Sequence, residues 1–283
     1  MAETFCVIGG DRRQAELARL LAADGKQVFT YGVTGSPDGS CALGRVSNPK
    51  VVILPLPLCR GAGVLNCSED PMPTRELFRC LRPEQLVLAG QVKQEQRLEA
   101  AEYGLSLRDY FLREELVVAN AAATAEGAVQ IAMEHLDCML LGLPCLVLGF
   151  GRIGKLLCHR LRGLGADVTA AARKPEDLAW IRAYGYHALP LSALNKHLAG
   201  ACVVFNTIPS PVLDSTLIEL LPKNCLCLEL ASERGINPVA AEERGLTCVW
   251  ARSLPGRLMP VTAAEAIRDA VYNIIIEERG DPS

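Results

Sequence analysis

The sequence predicts an α/β protein built as two doubly wound parallel-sheet domains joined by a connecting helix. Three observations predict it. Short apolar runs alternate with amphipathic stretches along the whole chain, which is the pattern of strands and crossover helices in parallel sheets. One run, Cys145-Leu146-Val147-Leu148, stops at a Gly-x-Gly-x-x-Gly spanning Gly149 to Gly154, and an amphipathic segment, Lys155 to Leu164, follows at once. One longer amphipathic stretch divides the alternation into two halves. On this reading residues 1–118 form the first, substrate-side domain, 119–142 the connecting helix and 143–261 the second domain. A final helix, 262–279, is expected to pack back on the first domain, with a substrate cleft between the two domains.

The elements follow in order. Phe5-Cys6-Val7-Ile8 reads as a buried strand, Gly9-Gly10 as a turn, and a helix then runs to about Ala23 with Leu17, Leu20 and Leu21 as its stripe. Gln27 to Tyr31 is a strand, and residues 32–49, rich in Gly, Ser and Pro, are loop. Val51 to Leu54 is a strand stopped by Pro55-Leu56-Pro57. Thr74 to Leu81 is a short helix, Leu86 to Ala89 a strand closed by Gly90, and Gln94 to Tyr103 a helix before a short strand at Leu105 and Leu107. Thr124 is placed to cap the connecting helix, which is expected to run to about Leu141.

In the second half Asp167 to Ala172, Ala201 to Phe205, Cys225 to Leu230 and Thr247 to Ala251 read as strands. Pro175 to Tyr184, Ser215 to Leu221 and Pro238 to Arg244 read as helices, and Leu254-Pro255-Gly256 as a turn. Thr262 to about Glu278 is the last helix.

Bulk properties narrow the function. Of 283 residues half are hydrophobic and 22% charged, enough for two ordinary cores, and a net charge of −3 carries no bulk signature of nucleic-acid or acidic-membrane binding. Met1-Ala2-Glu3-Thr4 lacks the basic start of a signal peptide, and the apolar stretch Cys138 to Phe150 is too short to span a bilayer. A soluble, cytoplasmic protein is the expectation. Most of the twelve cysteines lie in apolar runs without a Cys-x-x-Cys, and the four histidines form no ligand pair, so buried thiols are expected and no metal site.

The glycine motif carries the clearest chemistry. Gly149 allows a tight turn, Gly151 a close approach of backbone to a pyrophosphate, and Gly154 close packing of helix on strand. Free N–H groups and the positive end of the helix then face the phosphates. This makes the second domain Rossmann-like, with Gly149, Phe150, Gly151, Arg152, Ile153 and Gly154 as cofactor residues. In such sheets ligands bind at the carboxyl ends of strands, which adds Asn206-Thr207-Ile208-Pro209. The second strand of the domain ends in Arg173-Lys174, where an NAD site would place an acid for the ribose hydroxyls. Two cations there suit a 2′-phosphate, so NADP(H) is expected over NAD(H).

The same rule selects Asp11 and Arg12 in the first domain and Ser232 in the second. Asp11-Arg12 reads either as a helix cap with an exposed cation or as an anion anchor, and Glu126 either as favourable charge in a first helical turn or as a catalytic base.

Several blocks together resemble the A-subunit family of dipicolinate synthase. They are Val7 to Gln14, Ile53-Leu54-Pro55-Leu56-Pro57, Asn120-Ala121 with Thr124-Ala125-Glu126-Gly127, Leu148 to Gly154, Asn206 to Pro209, Glu229-Leu230-Ala231-Ser232, and Ser253-Leu254-Pro255-Gly256 with Pro260 and Thr262. The chain departs from the family pattern at Ala123, at Glu233-Arg234-Gly235 and at Ala264, where a proline, a Pro-Gly-Gly turn and a glycine are usual. The resemblance implies oxidation of dihydrodipicolinate, or its hydroxylated tetrahydro precursor, to dipicolinic acid in the mother cell of a spore-forming bacterium. The partner it implies is a second, flavoprotein-like subunit. Arg12, Asn120, Thr124 and Ser232 are then the candidates for binding the two carboxylates, with Glu126 first and Asp11 second as base. A homo-oligomer is compatible with the sequence.

Two other readings remain open at this level. One is a two-domain dehydrogenase of a small 2-hydroxy or 2-amino acid. Arg234-Gly235 is similar to the arginine of hydroxyacid dehydrogenases, but those enzymes need a late histidine and none follows His197. The other is a non-catalytic protein that senses a nucleotide, which would need no polar strand ends.

Overall fold

The computed structural model describes residues 3–33, 35, 42–61, 63–67 and 71–280. The loop expected over 32–49 falls partly outside them. The chain divides into two compact units, Met1–Asn120 with Pro255–Ser283, and Ala121–Leu254.

Unit 1 contains strands β1 (Thr4–Ile8), β2 (Gln27–Tyr31), β3 (Val51–Ile53), β4 (Leu86–Ala89) and β5 (Leu107–Asp109), with helices α1 (Arg12–Ala23), α2 (Thr74–Cys80) and α3 (Gln94–Glu102). All pairs are parallel and the order is β2-β1-β3-β4-β5, so the chain reverses direction across the sheet between β1 and β3. Successive strand residues point to opposite faces. Phe5 and Val7 join one core with Leu17 and Leu21 of α1, while Cys6 and Ile8 join another with Leu77 and Phe78 of α2. Burial on both faces is why these strands read as unbroken apolar runs.

Helix α4 (Glu114–His135) begins in unit 1 and ends in unit 2. It starts ten residues before Thr124, so the expected cap at Thr124 is corrected: Thr124 and Glu126 lie mid-helix. Glu114 and Glu115 occupy the first turn, where negative charge is favourable, and Ala121-Ala122-Ala123 propagates a helix better than it interrupts one. The helix is long and apolar enough to cross a membrane by length and composition. Ala121, Ala125, Ala128, Ile131 and Ala132 are nevertheless buried along one face, the signature of a core helix.

Unit 2 contains β6 (Pro144–Leu148), α5 (Arg152–Gly163), β7 (Asp167–Ala172), α6 (Pro175–Ala183), β8 (His187–Pro190), β9 (Val203–Asn206), α7 (Ser215–Ile218), β10 (Leu226–Glu229), α8 (Pro238–Glu243) and β11 (Thr247–Trp250). Its six strands are parallel in the order β11-β10-β9-β6-β7-β8. The chain winds from β6 towards β8, then returns to the other side of β6 with β9, which puts the switch point between β6 and β9. Ligands of such sheets bind there, outside the carboxyl ends. β8 is the one strand the sequence did not suggest. It lies at the sheet edge and buries only Leu189, too little to leave an apolar run.

The chain ends with α9 (Leu254–Leu258) and α10 (Pro260–Glu278). Leu254-Pro255-Gly256, expected as a turn, is therefore helical, and the last helix starts at Pro260, whose fixed φ suits a first turn. Ile267, Ala270, Val271 and Ile274 of α10 share one core with Leu17 and Leu21 of α1.

Candidate functional site

The glycine turn of unit 2 is built from residues that admit no side chain. Gly149 has φ +96°, and a Cβ on it would lie 2.4 Å from Thr207 Oγ1. A Cβ on Gly154 would lie 2.2 Å from the Gly149 carbonyl oxygen. Thr207 Oγ1 donates to the Leu148 carbonyl at 2.8 Å, so the loop after β9 props the turn after β6. Gly151 differs. A Cβ there would meet nothing within 4 Å, and Gly151 caps α5 with no side-chain hydrogen bond. The first-turn N–H groups of a twelve-residue helix thus open on free space, which fits a pyrophosphate of a bound dinucleotide.

The other residues of this group are placed around the turn. Phe150 is buried, packing near Tyr184 with Lys155 Nζ 5.7 Å from its ring centre, so it offers a ligand only its backbone. Arg152 is exposed and Ile153 half-buried at the start of α5. Arg173 and Lys174 are exposed directly after β7, the strand beside β6.

The loops after β9 and β10 are locked by Glu229, a residue to which the sequence alone assigns no role of its own. Glu229, 1% exposed at the end of β10, accepts hydrogen bonds from Asn206 Nδ2 at 2.8 Å, Ala231 N at 3.2 Å, Gly235 N at 2.8 Å and Ile236 N at 3.1 Å. Asn206 Nδ2 also donates to the Ile208 carbonyl, and its Oδ1 accepts from Ile208 N. The Asn206 side chain therefore shapes the loop from within. A Cβ on Gly235 would lie 2.4 Å from Asn206 Nδ2, so glycine is required where the two loops cross. One acid inside the apolar run Cys225 to Leu230 was the available signal: a buried carboxylate needs donors.

Beside this hub stands a cationic group. The Trp250 indole donates from Nε1 to the Ala231 carbonyl at 3.2 Å, which orients the ring. The Arg234 and Arg252 guanidinium carbons lie 4.5 and 4.6 Å from its centroid. Both arginines are exposed, and among the described residues neither pairs with a carboxylate. Ser253, next in the chain, has φ +55°, a left-handed conformation uncommon for serine. Ser232 is exposed in the neighbouring loop.

In unit 1 the turn after β1 uses Gly9 and Gly10 at φ +60° and +89°. Asp11 caps α1: its carboxylate accepts from Arg13 N at 3.0 Å, while Gln14 Oε1 accepts from Asp11 N. Arg13 Nε and Nη2 grip both Asp11 oxygens at 2.9 and 2.8 Å, and Nη2 also donates to the Leu56 carbonyl. Burial alone would raise the Asp11 pKa, but the hydrogen bonds and charge of Arg13, with Arg60 contributing, hold it below its ordinary value. A Cβ on Gly256 would lie 2.8 Å from Arg13 Nε and 2.9 Å from Asp11 Oδ2, so this glycine packs against the pair. The buried cation of the block is thus Arg13, and Arg12 is exposed on the first turn of α1.

The structure separates Glu126 from the glycine turn. Its carboxylate pairs with Arg160 Nη2 at 3.1 Å, and Arg160 lies about 12 Å along α5 from Arg152 at 1.5 Å per residue. Glu126 thus lies mid-helix with an arginine partner, both side chains partly exposed. Asn120 and Thr124 are half-buried on α4.

Comparison with known proteins agrees with this anatomy. Residues 4–111 match the family profile for the N-terminal domain of the dipicolinate synthase A-subunit. The chain is 28% identical to the dipicolinate synthase A-subunit of Bacillus subtilis (strain 168), over 96% of each protein. It superposes on the crystal structure of that enzyme's A-subunit from Bacillus subtilis with a TM-score of 0.87 and 26% identity, covering 100% of this chain and 98% of that one. An L-alanine dehydrogenase shares the fold, with a TM-score of 0.66 at 15% identity over 97% of this chain and 90% of that one. The fold of two parallel-sheet units, the Asp11 block and the glycine turn thus go with a likeness to dipicolinate synthase A-subunits that runs along the whole chain, residues 4–111 matching that family's N-terminal domain.

Proposed function

We propose that the protein is the oxidoreductase component of a dipicolinate synthase, converting dihydrodipicolinate, or its hydroxy-tetrahydro precursor, to dipicolinic acid with NADP as hydride acceptor. The observation that carries this is the open, side-chain-free start of α5 at Gly151, with Arg173 and Lys174 exposed after β7, the strand beside β6. A bound nicotinamide would supply the two-electron acceptor for a reaction driven by ring aromatisation. The α5 N–H groups would hold the pyrophosphate, and the Arg173 fork a 2′-phosphate through paired charge-assisted bonds. Arg234 and Arg252, stacked on Trp250 and without a carboxylate partner among the described residues, join Arg12, Asn120, Thr124 and Ser232 as candidates to hold the substrate carboxylates. Holding ring and nicotinamide in register is then the main task. Family resemblance supports a place in the mother-cell cytoplasm during sporulation, with a second, flavoprotein-like subunit.

The test is turnover of dihydrodipicolinate by the purified protein, alone and then with that partner, followed as NADPH and dipicolinate. No product in either case overturns the reading.

Two variants test its parts. Arg173→Asp is expected to weaken NADP(H) by roughly tenfold or more and to leave NAD(H) unchanged or improved, since a charged bond contributes about 1.5–3 kcal/mol. Equal affinity of the wild type for the two cofactors in paired titrations would refute the preference. Arg234→Ala and Arg252→Ala are each expected to raise the KM for the dicarboxylate by about tenfold with a smaller change in kcat. Unchanged KM values in both would return these arginines to surface stacking on Trp250.

A further inference from the structure

The C-terminal half of α4 and the body of α5 leave a groove of about 830 Å³ on unit 2, lined by Glu126, Met133, Glu134, His159, Arg160 and Leu164. Met133 is 58% and Leu164 46% exposed, and Met139 and Leu141, in the segment just after α4, are exposed as well. Scattered apolar exposure is ordinary, but a contiguous patch rimmed by charge marks an interaction surface. Half of the most apolar stretch of α4 is left unburied, and methionine is enriched where proteins meet.

We infer that this groove is the two-fold interface of a homodimer. In an isologous interface a patch meets its own copy, so it must be complementary to itself. The charges here are sorted to allow that. The α4 wall carries the acids Glu126 and Glu134, and the α5 wall carries the cation Arg160 with His159 beside it. A two-fold mate laid across the groove sets each α4 wall on the other copy's α5 wall, acid against cation, twice. The pair already present, Glu126–Arg160, joins side chains that are 51% and 30% exposed. Such a pair contributes little by itself and is free to re-pair across an interface.

A second observation points the same way. Gly163, in the last turn of α5, lines the groove, and a Cβ on it would meet nothing within 4 Å. Its φ is ordinary, so the fold of one chain does not require glycine there, and glycine costs a helix about 1 kcal/mol relative to alanine. Close approach by another surface accounts for it.

The experiment is sedimentation of the full chain. The wild type is expected to be dimeric. Gly163→Arg, whose Cβ would meet nothing within 4 Å in the single chain, is expected to weaken the dimer by roughly tenfold or more, with an unchanged circular dichroism spectrum. Arg160→Glu is expected to do the same, and adding Glu134→Arg to it to restore the dimer. A wild type that stays monomeric at the highest attainable concentration overturns the inference, as does a dimer indifferent to both Gly163→Arg and Arg160→Glu. A charge swap that fails to restore association overturns the two-fold pairing.

Discussion

Gly154→Ala is expected to cost the protein about a hundredfold in dinucleotide affinity. The added methyl carbon would lie 2.2 Å from the Gly149 carbonyl oxygen, a backbone atom that no rotamer change can move. The start of α5 must back away from the turn after β6, and overpacking of this kind costs about 1–3 kcal/mol. At 1.4 kcal/mol per factor of ten, the upper end of that cost is about a hundredfold. Gly151→Ala separates shape from ligand approach. Its methyl meets nothing within 4 Å in the protein, so stability should fall by no more than the roughly 0.5–1 kcal/mol that alanine costs at a helix N-cap. If a pyrophosphate comes up to that backbone, the same methyl stands in its way and affinity falls. Isothermal titration of both variants with NADP(H) and NAD(H) checks the pair. A Gly151→Ala protein with full affinity would mean that the α5 N-terminus holds no phosphate.

The largest loss of stability is expected at Glu229→Ala. Four donors lose their acceptor at once: Asn206 Nδ2 and the backbone N–H groups of Ala231, Gly235 and Ile236. Asn206 Nδ2 keeps its second bond to the Ile208 carbonyl, but the three N–H groups are left unpaired in a buried site. At about 1 kcal/mol or more for each abandoned buried donor, the variant should lose roughly 3–4 kcal/mol. Glu229→Gln keeps one oxygen and turns an NH₂ towards the N–H groups of the other, so an intermediate loss of about 2 kcal/mol is expected. Denaturant unfolding measures both. A Glu229→Gln protein as stable as the wild type would show that the pair of acceptor oxygens is not what holds these loops. Because the loops carry Thr207 and Ile208 on one side and Ser232 and Arg234 on the other, loss of cofactor affinity should accompany loss of stability.

What could be read before folding follows from the range of each interaction. β1, β3, β4, β6, β9 and β10 are buried on both faces, so their central residues are under the same demand and form apolar runs, with Asn206 and Glu229 as the polar exceptions at the ends of β9 and β10. β8 buries one side chain and has no such mark. The start of α4 misled because Asn120 and Thr124 are residue types that often cap helices. Whether they do is settled by the turns before them, and Glu114 to Ala123 had already formed a helix.

The sequence by itself determined the two-sheet architecture and the glycine turn, because periodicity and glycine's freedom at φ +96° are local properties carried by residue type. Only the tertiary structure decided which neighbours do the work. It paired Asp11 with Arg13, whose guanidinium also donates to the Leu56 carbonyl, 43 residues away. It gave Glu126 to Arg160, 34 residues on, and made Glu229 the acceptor for two loops. It also brought Arg234 and Arg252 onto one indole. These are electrostatic and hydrogen-bond partnerships across long stretches of chain. A side chain's charge is written in the sequence, but the group that satisfies it is fixed only when the strands are placed side by side.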